Sequence, residues 1–356
     1  MTSTADIGPL RLAAQRLVGP PEPTAADAVR RLLAVQAQDL PGALTSIALR
    51  TAGARRDDVA AALDSGEVVR SWPMRGTLHL VAADDLPWLL GLVGDRALAG
   101  LGKRWANLGL DEAQAERARE LAVAALAGGG RARRSELLAA IDAGGVDTGG
   151  QRGYHLLWYL SQTGTLCLGP TDGDAEQRFV LLDEWIPAPR RLDRDQALAE
   201  LALRFFAGHG PATVADLVRW AGSTARDVRA GLAAVRDRLA VLAVDGTEYL
   251  MDPATPDRLA AARAEAEGTL LLPGFDEFVL GYGDRGAVLA PEHANRIVPG
   301  GNGVFRPTVV HAGRIVATWR WTGRGANRAV TTEPFTDVPD DVAAAVPRLA
   351  ARLPVA

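Results

Sequence analysis

Gln36-Ala37-Gln38 puts two neutral carboxamides two residues apart in an otherwise apolar stretch. Each side chain carries an acceptor oxygen and an amide donor, so a pair converging on one volume can hold and orient a water. On a continuous α-helix they could not converge, because residues i and i+2 point about 200° apart. The stretch reads as a helix from Ala25 to Val35, followed by Asp39-Leu40-Pro41. Pro41 biases Leu40 away from the helical region, so the helix is expected to unwind through the two glutamines, where extended or irregular backbone could turn both amides the same way. The plain alternative is a pair that caps a helix end or faces solvent.

Other chemistry-bearing residues offer less. His79 lies in Arg75-Gly-Thr-Leu-His-Leu80, a strand pattern in which Thr77 and His79 share one face. It reads as a substrate contact or as a histidine satisfied within its own fold. Asp276 and Glu277, within Pro273-Gly-Phe-Asp-Glu-Phe-Val-Leu280, read as strand neighbours pointing to opposite sides, a poor geometry for paired acid-base work. Gly281-Tyr-Gly283-Asp-Arg-Gly286 matches a dinucleotide fingerprint in letters alone, since no amphipathic helix opens at Gly286. The five histidines have no partner at metal-ligand spacing, and Cys167 is the only cysteine, so neither a metal site nor a disulfide is expected.

These residues sit in a chain of 356 residues, 48% hydrophobic and 23% charged, long enough for two or three compact units. No window approaches the roughly 18 uninterrupted apolar residues of a membrane span. Met1 to Pro9 shows no basic or apolar signal region, which points to the cytoplasm. The net charge of −4 speaks against a uniformly basic nucleic-acid binder, but its distribution is uneven. From Arg285 to Arg328 there are seven arginines and one acid, Glu292, a local +6 that leaves −10 for the remainder. Lys103 is the only lysine, so the arginine count reflects coding bias as well as any choice of guanidinium forks.

One unit recurs along the chain: helix, turn, helix, then two strands joined by a tight turn. It is clearest where Thr213 and Thr224 open capping boxes with Asp216 and Asp227, and Asp245-Gly246 joins strands Leu239 to Val244 and Thr247 to Met251. A second copy runs from a helix capped by Ser135 through helix Tyr154 to Gln162, with strands Thr165 to Leu168 and Phe179 to Leu182. The first is looser, with helices Ala25 to Gln36 and Asp57 to Leu63 and strands Val68 to Trp72 and Thr77 to Val81. Helical stretches Asp84 to Leu108 and Asp111 to Leu126 follow it, and Pro256 to Gly268 reads as a helix after the third. The pattern predicts a predominantly helical α+β chain of three tandem winged helix-turn-helix units, over 1–127, 128–193 and 194–356, with a C-terminal β segment. In that segment Arg314, Val316, Thr318 and Arg320 alternate with Ile315, Ala317, Trp319 and Trp321. The strand turns back at Ala312-Gly313 as a hairpin whose arginine face meets either phosphate or solvent.

Taken together, the sequence resembles the AlkZ-type winged-helix DNA glycosylases. The resemblance rests on Leu33-Ala-Val-Gln-Ala-Gln38, on Met74-Arg-Gly-Thr-Leu-His-Leu80 and on Leu271-Leu-Pro-Gly-Phe-Asp-Glu-Phe-Val-Leu-Gly-Tyr282, and it covers essentially the whole chain. It implies that Gln36 and Gln38 are the catalytic Gln-x-Gln pair of a monofunctional, cofactor-free glycosylase. Such an enzyme excises bulky N7-alkylguanine, and by the same resemblance unhooks interstrand crosslinks, in self-resistance to a DNA-alkylating product. The partner is alkylated double-stranded DNA, met by a monomer through an open concave channel, with Arg75, His79, Arg285, Arg306, Arg314 and Arg320 as candidate contacts. A non-catalytic winged-helix regulator is the alternative. The chemistry suits weak groups: alkylation at N7 makes guanine a cationic leaving group, so positioning a water matters more than a strong base.

Overall fold

A computed structural model describes residues 4–171, 176–323 and 328–354; Arg324 of the arginine-rich segment lies outside them. The fold is α+β, and about half of the described residues are helical. Contacts divide it into two compact units, residues 60–197 and residues 1–59 with 198–356. No helix among the described residues is long and apolar enough to cross a membrane.

In the unit of residues 60–197, strand Val68–Met74 pairs antiparallel with Thr77–Ala82 on one side and with Leu166–Leu168 on the other, and the latter pairs with Phe179–Leu181. Arg75 and Gly76 make the first turn with φ of 54° and 68°, the left-handed pair that a two-residue hairpin needs. Helix Glu112–Leu126 opens on Asp111, whose carboxylate accepts from the Gln114 N–H while the Gln114 side chain accepts from Asp111 N–H. Ala115, Ala118 and Ala122 on its buried stripe meet Leu137, Ile141, Leu156 and Trp72. The helix expected from Glu136 after a Ser135 cap starts two residues sooner, at Arg134, where Glu136 reaches back to the Arg133 N–H at 2.7 Å.

The other unit holds an antiparallel sheet in the order Ala329–Pro334, Arg314–Thr322, Thr308–His311, Thr269–Leu272. Helix Asp340–Arg352 covers it, laying Val342, Val346 and Ala350 on Leu271, Val309, Ala317 and Trp319. Spacing of four residues keeps those three on one helix face, which is why this stripe and not its neighbours is buried. Thr213 caps helix Val214–Ala221 in a full capping box with Asp216. Thr224 caps helix Ala225–Ala233 by accepting from the Asp227 N–H, with that helix ending short of the expected Arg238. Asp245-Gly246 turns strands Ala240–Val244 and Thr247–Met251 as the sequence predicts. The helix read over Pro256 to Gly268 is broken at Ala262 into Thr255–Ala261 and Arg263–Ala266.

Strand Arg314–Thr322 exposes Arg314 and Arg320 and buries Ile315, Ala317 and Trp319. Thr318, expected on the exposed face, is buried, in a strand whose register with Thr308–His311 is shifted by an irregularity between Ile315 and Ala317. The turn at Ala312-Gly313 is seated on helix Thr4–Ala14: a Cβ placed on Gly8 would run into the Gly313 carbonyl. Gly8→Ala should therefore lower the unfolding free energy by about 1–3 kcal/mol, as overpacking does. An unchanged urea midpoint would show that the turn is not seated there.

Candidate active site

The two glutamines are reached by a sharper route than an unwinding helix. Helix Ala25–Leu32 stops at Leu33, which takes φ 66°, ψ −48° and sends its N–H back to the Arg30 carbonyl. That is close to a strained γ-turn, and it redirects the chain into the strand Ala34–Gln36. Pro41 does not end the preceding helix but sits in the first turn of the next, Leu40–Ala48, where its missing N–H costs nothing. Gln36 therefore belongs to a strand, Ala37 follows it, and Gln38 lies in the bend before that helix. Gln36 is buried at 8% exposure and Gln38 is exposed.

What fixes this segment is Glu277. Its Oε1 accepts the Gln36 backbone N–H at 3.1 Å, across 241 residues of sequence. Its Oε2 accepts from Trp220 Nε1 at 2.9 Å and from His209 Nε2 at 3.4 Å. The side chain is fully buried, and burial alone would raise its pKa. The hydrogen bond and charge of His209, with the Gln36 and Trp220 donors, overturn that and hold the carboxylate down at about 2. With both oxygens engaged, Glu277 holds the strand by its backbone at Gln36. His209 is in turn stacked on Phe205, with ring centroids 4.7 Å apart and planes 13° apart.

Asp276 and Glu277 thus correct the strand reading of Pro273 to Leu280. The strand ends at Leu272, Phe275 turns the chain with φ 60°, and Asp276 caps the short helix Glu277–Leu280 by accepting from the Phe278 N–H. A turn and a helix let adjacent acids both point inward. Asp276 meets Arg50 as a fork, with Nη1 to Oδ2 and Nη2 to Oδ1 both at 2.9 Å. Ser46 Oγ also donates to Asp276 Oδ2, and Arg50 completes its donors on the Gln15 and Ser46 carbonyls and the Gln15 side chain. Gln15 donates to the Tyr282 hydroxyl, which donates to the His209 carbonyl at 2.7 Å. One connected polar network therefore ties the Leu271 to Tyr282 motif to the residues behind Gln36.

The remaining candidates fall in different places. Arg75 and His79 lie in the unit of residues 60–197, where His79 is fully buried. Its Nδ1 donates to the Thr77 carbonyl at 2.8 Å, which leaves Nε2 to accept from Arg75 Nη2 at 3.2 Å. In the other unit, Arg306 and Arg320 come together, 3.6 and 3.7 Å from the two oxygens of Glu333. Arg314 stands at the far end of its strand, beside the Ala287 carbonyl at 3.5 Å. Arg285 is half-buried, donating to the Val279 carbonyl and lying 5.3 Å from the Phe305 ring centroid. Burial, helped by nearby Arg219, pushes its pKa down to about 10. Among the described residues no group of three His, Cys, Asp or Glu is placed to hold a metal.

A family model described as DNA glycosylase AlkZ-like matches residues 29–354, which takes in Gln36, Gln38, Glu277 and the C-terminal sheet. The chain belongs to the AlkZ-like DNA glycosylase family. This AlkZ-like enzyme is 29% identical over 331 residues to an interstrand DNA cross-link repair glycosylase from Streptomyces sahachiroi, an alignment covering 89% of this chain and 86% of that protein. The structure of the Streptomyces sahachiroi DNA glycosylase AlkZ superposes with a TM-score of 0.81 at 26% identity, over 99% of this chain and 98% of the other. The resemblance read from three short motifs therefore extends to the whole architecture, and the chain is a DNA glycosylase.

The sequence reading sets Asp276 and Glu277 aside on a strand geometry that does not form, and it gives no role to Arg50, His209 or Trp220. A signal was present in two adjacent acids embedded in an apolar run, since buried carboxylates need partners. Those partners lie far off in sequence.

Proposed function

We propose that this DNA glycosylase hydrolyses the N-glycosidic bond of bulky N7-alkylguanine adducts and unhooks interstrand crosslinks, as self-resistance to a DNA-alkylating product, with Gln36 and Gln38 orienting the attacking water. The observation that carries the reading is the Gln36–Gln38 segment itself. It carries neutral amides, and its backbone is pinned by a buried carboxylate whose own oxygens are engaged. A carboxamide is a poor proton acceptor, so the enzyme gives up most of the roughly 10²- to 10⁴-fold that a general base supplies. It suits a substrate whose leaving group is already cationic, and neutral guanine is refused. The similarity to a cross-link repair glycosylase supports the same substrate class.

A base tied to the opposite strand cannot swing freely into a deep pocket, which favours an open concave channel. The proposed channel is built from three winged helices over 1–127, 128–193 and 194–356, acting as a monomer in the cytoplasm. The helix, helix and hairpin series ending at Leu181 and Met251 support that division, and a repeat need not coincide with a compact unit. Arg75, His79, Arg285, Arg306, Arg314 and Arg320 are the proposed duplex contacts.

The test is a duplex with a single N7-alkylguanine, followed by alkaline cleavage at any abasic site. Wild type should release the base, and Gln38→Ala should do so about 10²-fold more slowly, the scale of a lost positioning contact. Release by Gln38→Ala at the wild-type rate would exclude the water-orienting role.

A further inference from the structure

A cleft of about 260 Å³ opens beside the residue that follows Gln38. Asp39, Arg56, Gly274, Trp321, Arg320 and Arg328 are on its wall. Asp39 is the only acid among its described lining residues, against three arginines of which Arg320 is paired with Glu333, so the wall keeps a net positive charge. Two of those arginines are held in place. Arg56 Nη2 donates to the Pro41 carbonyl at 2.9 Å, while its Nε is buried with no partner. Arg328 lies over Trp321, its guanidinium carbon 3.9 Å from the ring centroid. Trp321 is braced edge-on by Trp319, with centroids 5.7 Å apart, and Trp319 is fixed by its Nε1 donating to the Leu272 carbonyl at 2.9 Å.

The arrangement is unfavourable as it stands. Burial weakens Arg56's hold on its proton, Asp39 opposes that, and the charge of Arg328 reinforces it. An unsatisfied buried guanidinium N–H beside a second, like-charged guanidinium gains most from an anion with several acceptor oxygens. Aliphatic or aromatic ligands would leave both defects in place. The cleft adjoins the proposed catalytic segment through Asp39, the residue that follows Gln38.

We propose that this cleft holds a backbone phosphodiester of the lesion-bearing DNA strand between Arg56 and Arg328. The inference rests on the reading of Gln36 and Gln38 as the site of base excision. It assigns Arg56, which lies outside the arginine-rich C-terminal segment, to the DNA interface. Its function there is registration: one fixed phosphate sets how far the neighbouring sugar can lie from the glutamines, without reading any base.

The experiment measures duplex affinity of the full-length chain between about 50 and about 200 mM chloride, using unmodified DNA and DNA carrying one N7-alkylguanine. Arg56→Met and Arg328→Met should weaken binding to every sequence alike, and the double variant should flatten the plot of log affinity against log salt by about 0.9, the value of one phosphate. Arg56→Lys, which keeps the charge, should retain the wild-type slope and guards against a merely misfolded Arg56→Met. In a second arm, single neutral methylphosphonates are stepped along the lesion strand. One position beside the lesion should cost wild type about tenfold in affinity and cost the double variant nothing. Variants with wild-type melting midpoints that keep the wild-type slope and methylphosphonate profile would overturn the cleft assignment alone. So would inorganic phosphate, at matched ionic strength, binding wild type but not the double variant without weakening the duplex. A wild type that binds DNA but releases no alkylated base defeats the glycosylase reading of Gln36 and Gln38 instead.

Discussion

Glu277→Gln should slow base release by about 10²-fold while leaving duplex affinity within about twofold, because it disturbs the placement of Gln36 and no group that touches DNA. The carboxylate accepts three hydrogen bonds, one from the Gln36 N–H and two from His209 and Trp220. A carboxamide has one accepting oxygen and one donating nitrogen. Whichever way Gln is turned, its NH₂ faces a donor, either the Gln36 backbone or the Trp220 indole. Trp220→Phe separates positioning from stability: it removes a donor on Oε2 yet leaves the bond to Gln36 in place. Both variants should lower the melting midpoint, and only Glu277→Gln should lower the single-turnover rate. Equal losses of rate in the two would mean that Glu277 acts on stability alone.

The same carboxylate ties stability to acid. Its ordinary value of 4.5 falls to about 2 in the folded chain, so between those values the unfolded chain binds the extra proton. The contribution is present in full above pH 4.5 and disappears as pH falls toward 2, amounting to about 3 kcal/mol at the scale of 1.36 kcal/mol per unit. Urea midpoints measured at steps from pH 5 to pH 3 should drop less steeply for Glu277→Gln than for wild type.

How much of this was open to a reader of the sequence depends on the range of the interaction. The Asp245-Gly246 turn and the caps at Thr213 and Thr224 are decided within four residues, and each forms where the sequence places it. Residue type alone singles out Gln36 and Gln38, but their backbone is not set by Pro41: Leu33 ends the helix and Pro41 begins another. A bulky residue at φ 66° is held there by packing from elsewhere, which no local propensity encodes. Glu277 fails for a related reason. Its bonds span 57, 68 and 241 residues, and a turn at Phe275 with positive φ undoes the alternation that had sent Asp276 and Glu277 apart.

Asp276→Leu and Arg50→Met should each cost about 3–5 kcal/mol of unfolding free energy, because either one leaves a buried charge without its partner. Neither side chain reaches solvent: Arg50 is 1% exposed and Asp276 is fully buried. Removing one partner strands a charge, and its remaining hydrogen bonds cannot restore the lost solvation. The pair as such need not stabilise, because removing both charges also removes the desolvation cost. Arg50→Met combined with Asp276→Leu should therefore recover a good part of either single loss, and the cycle of four proteins should show coupling well above 1 kcal/mol. Additive losses would mean the fork is not formed in solution. Even if stability recovers, excision should not fully return, since Asp276 also caps the helix that carries Glu277 and accepts from Ser46. A stable double variant with impaired excision would separate the two tasks: hydrophobic contacts can replace the energy of the buried pair, whereas holding Glu277 against the Gln36 backbone requires its polar geometry.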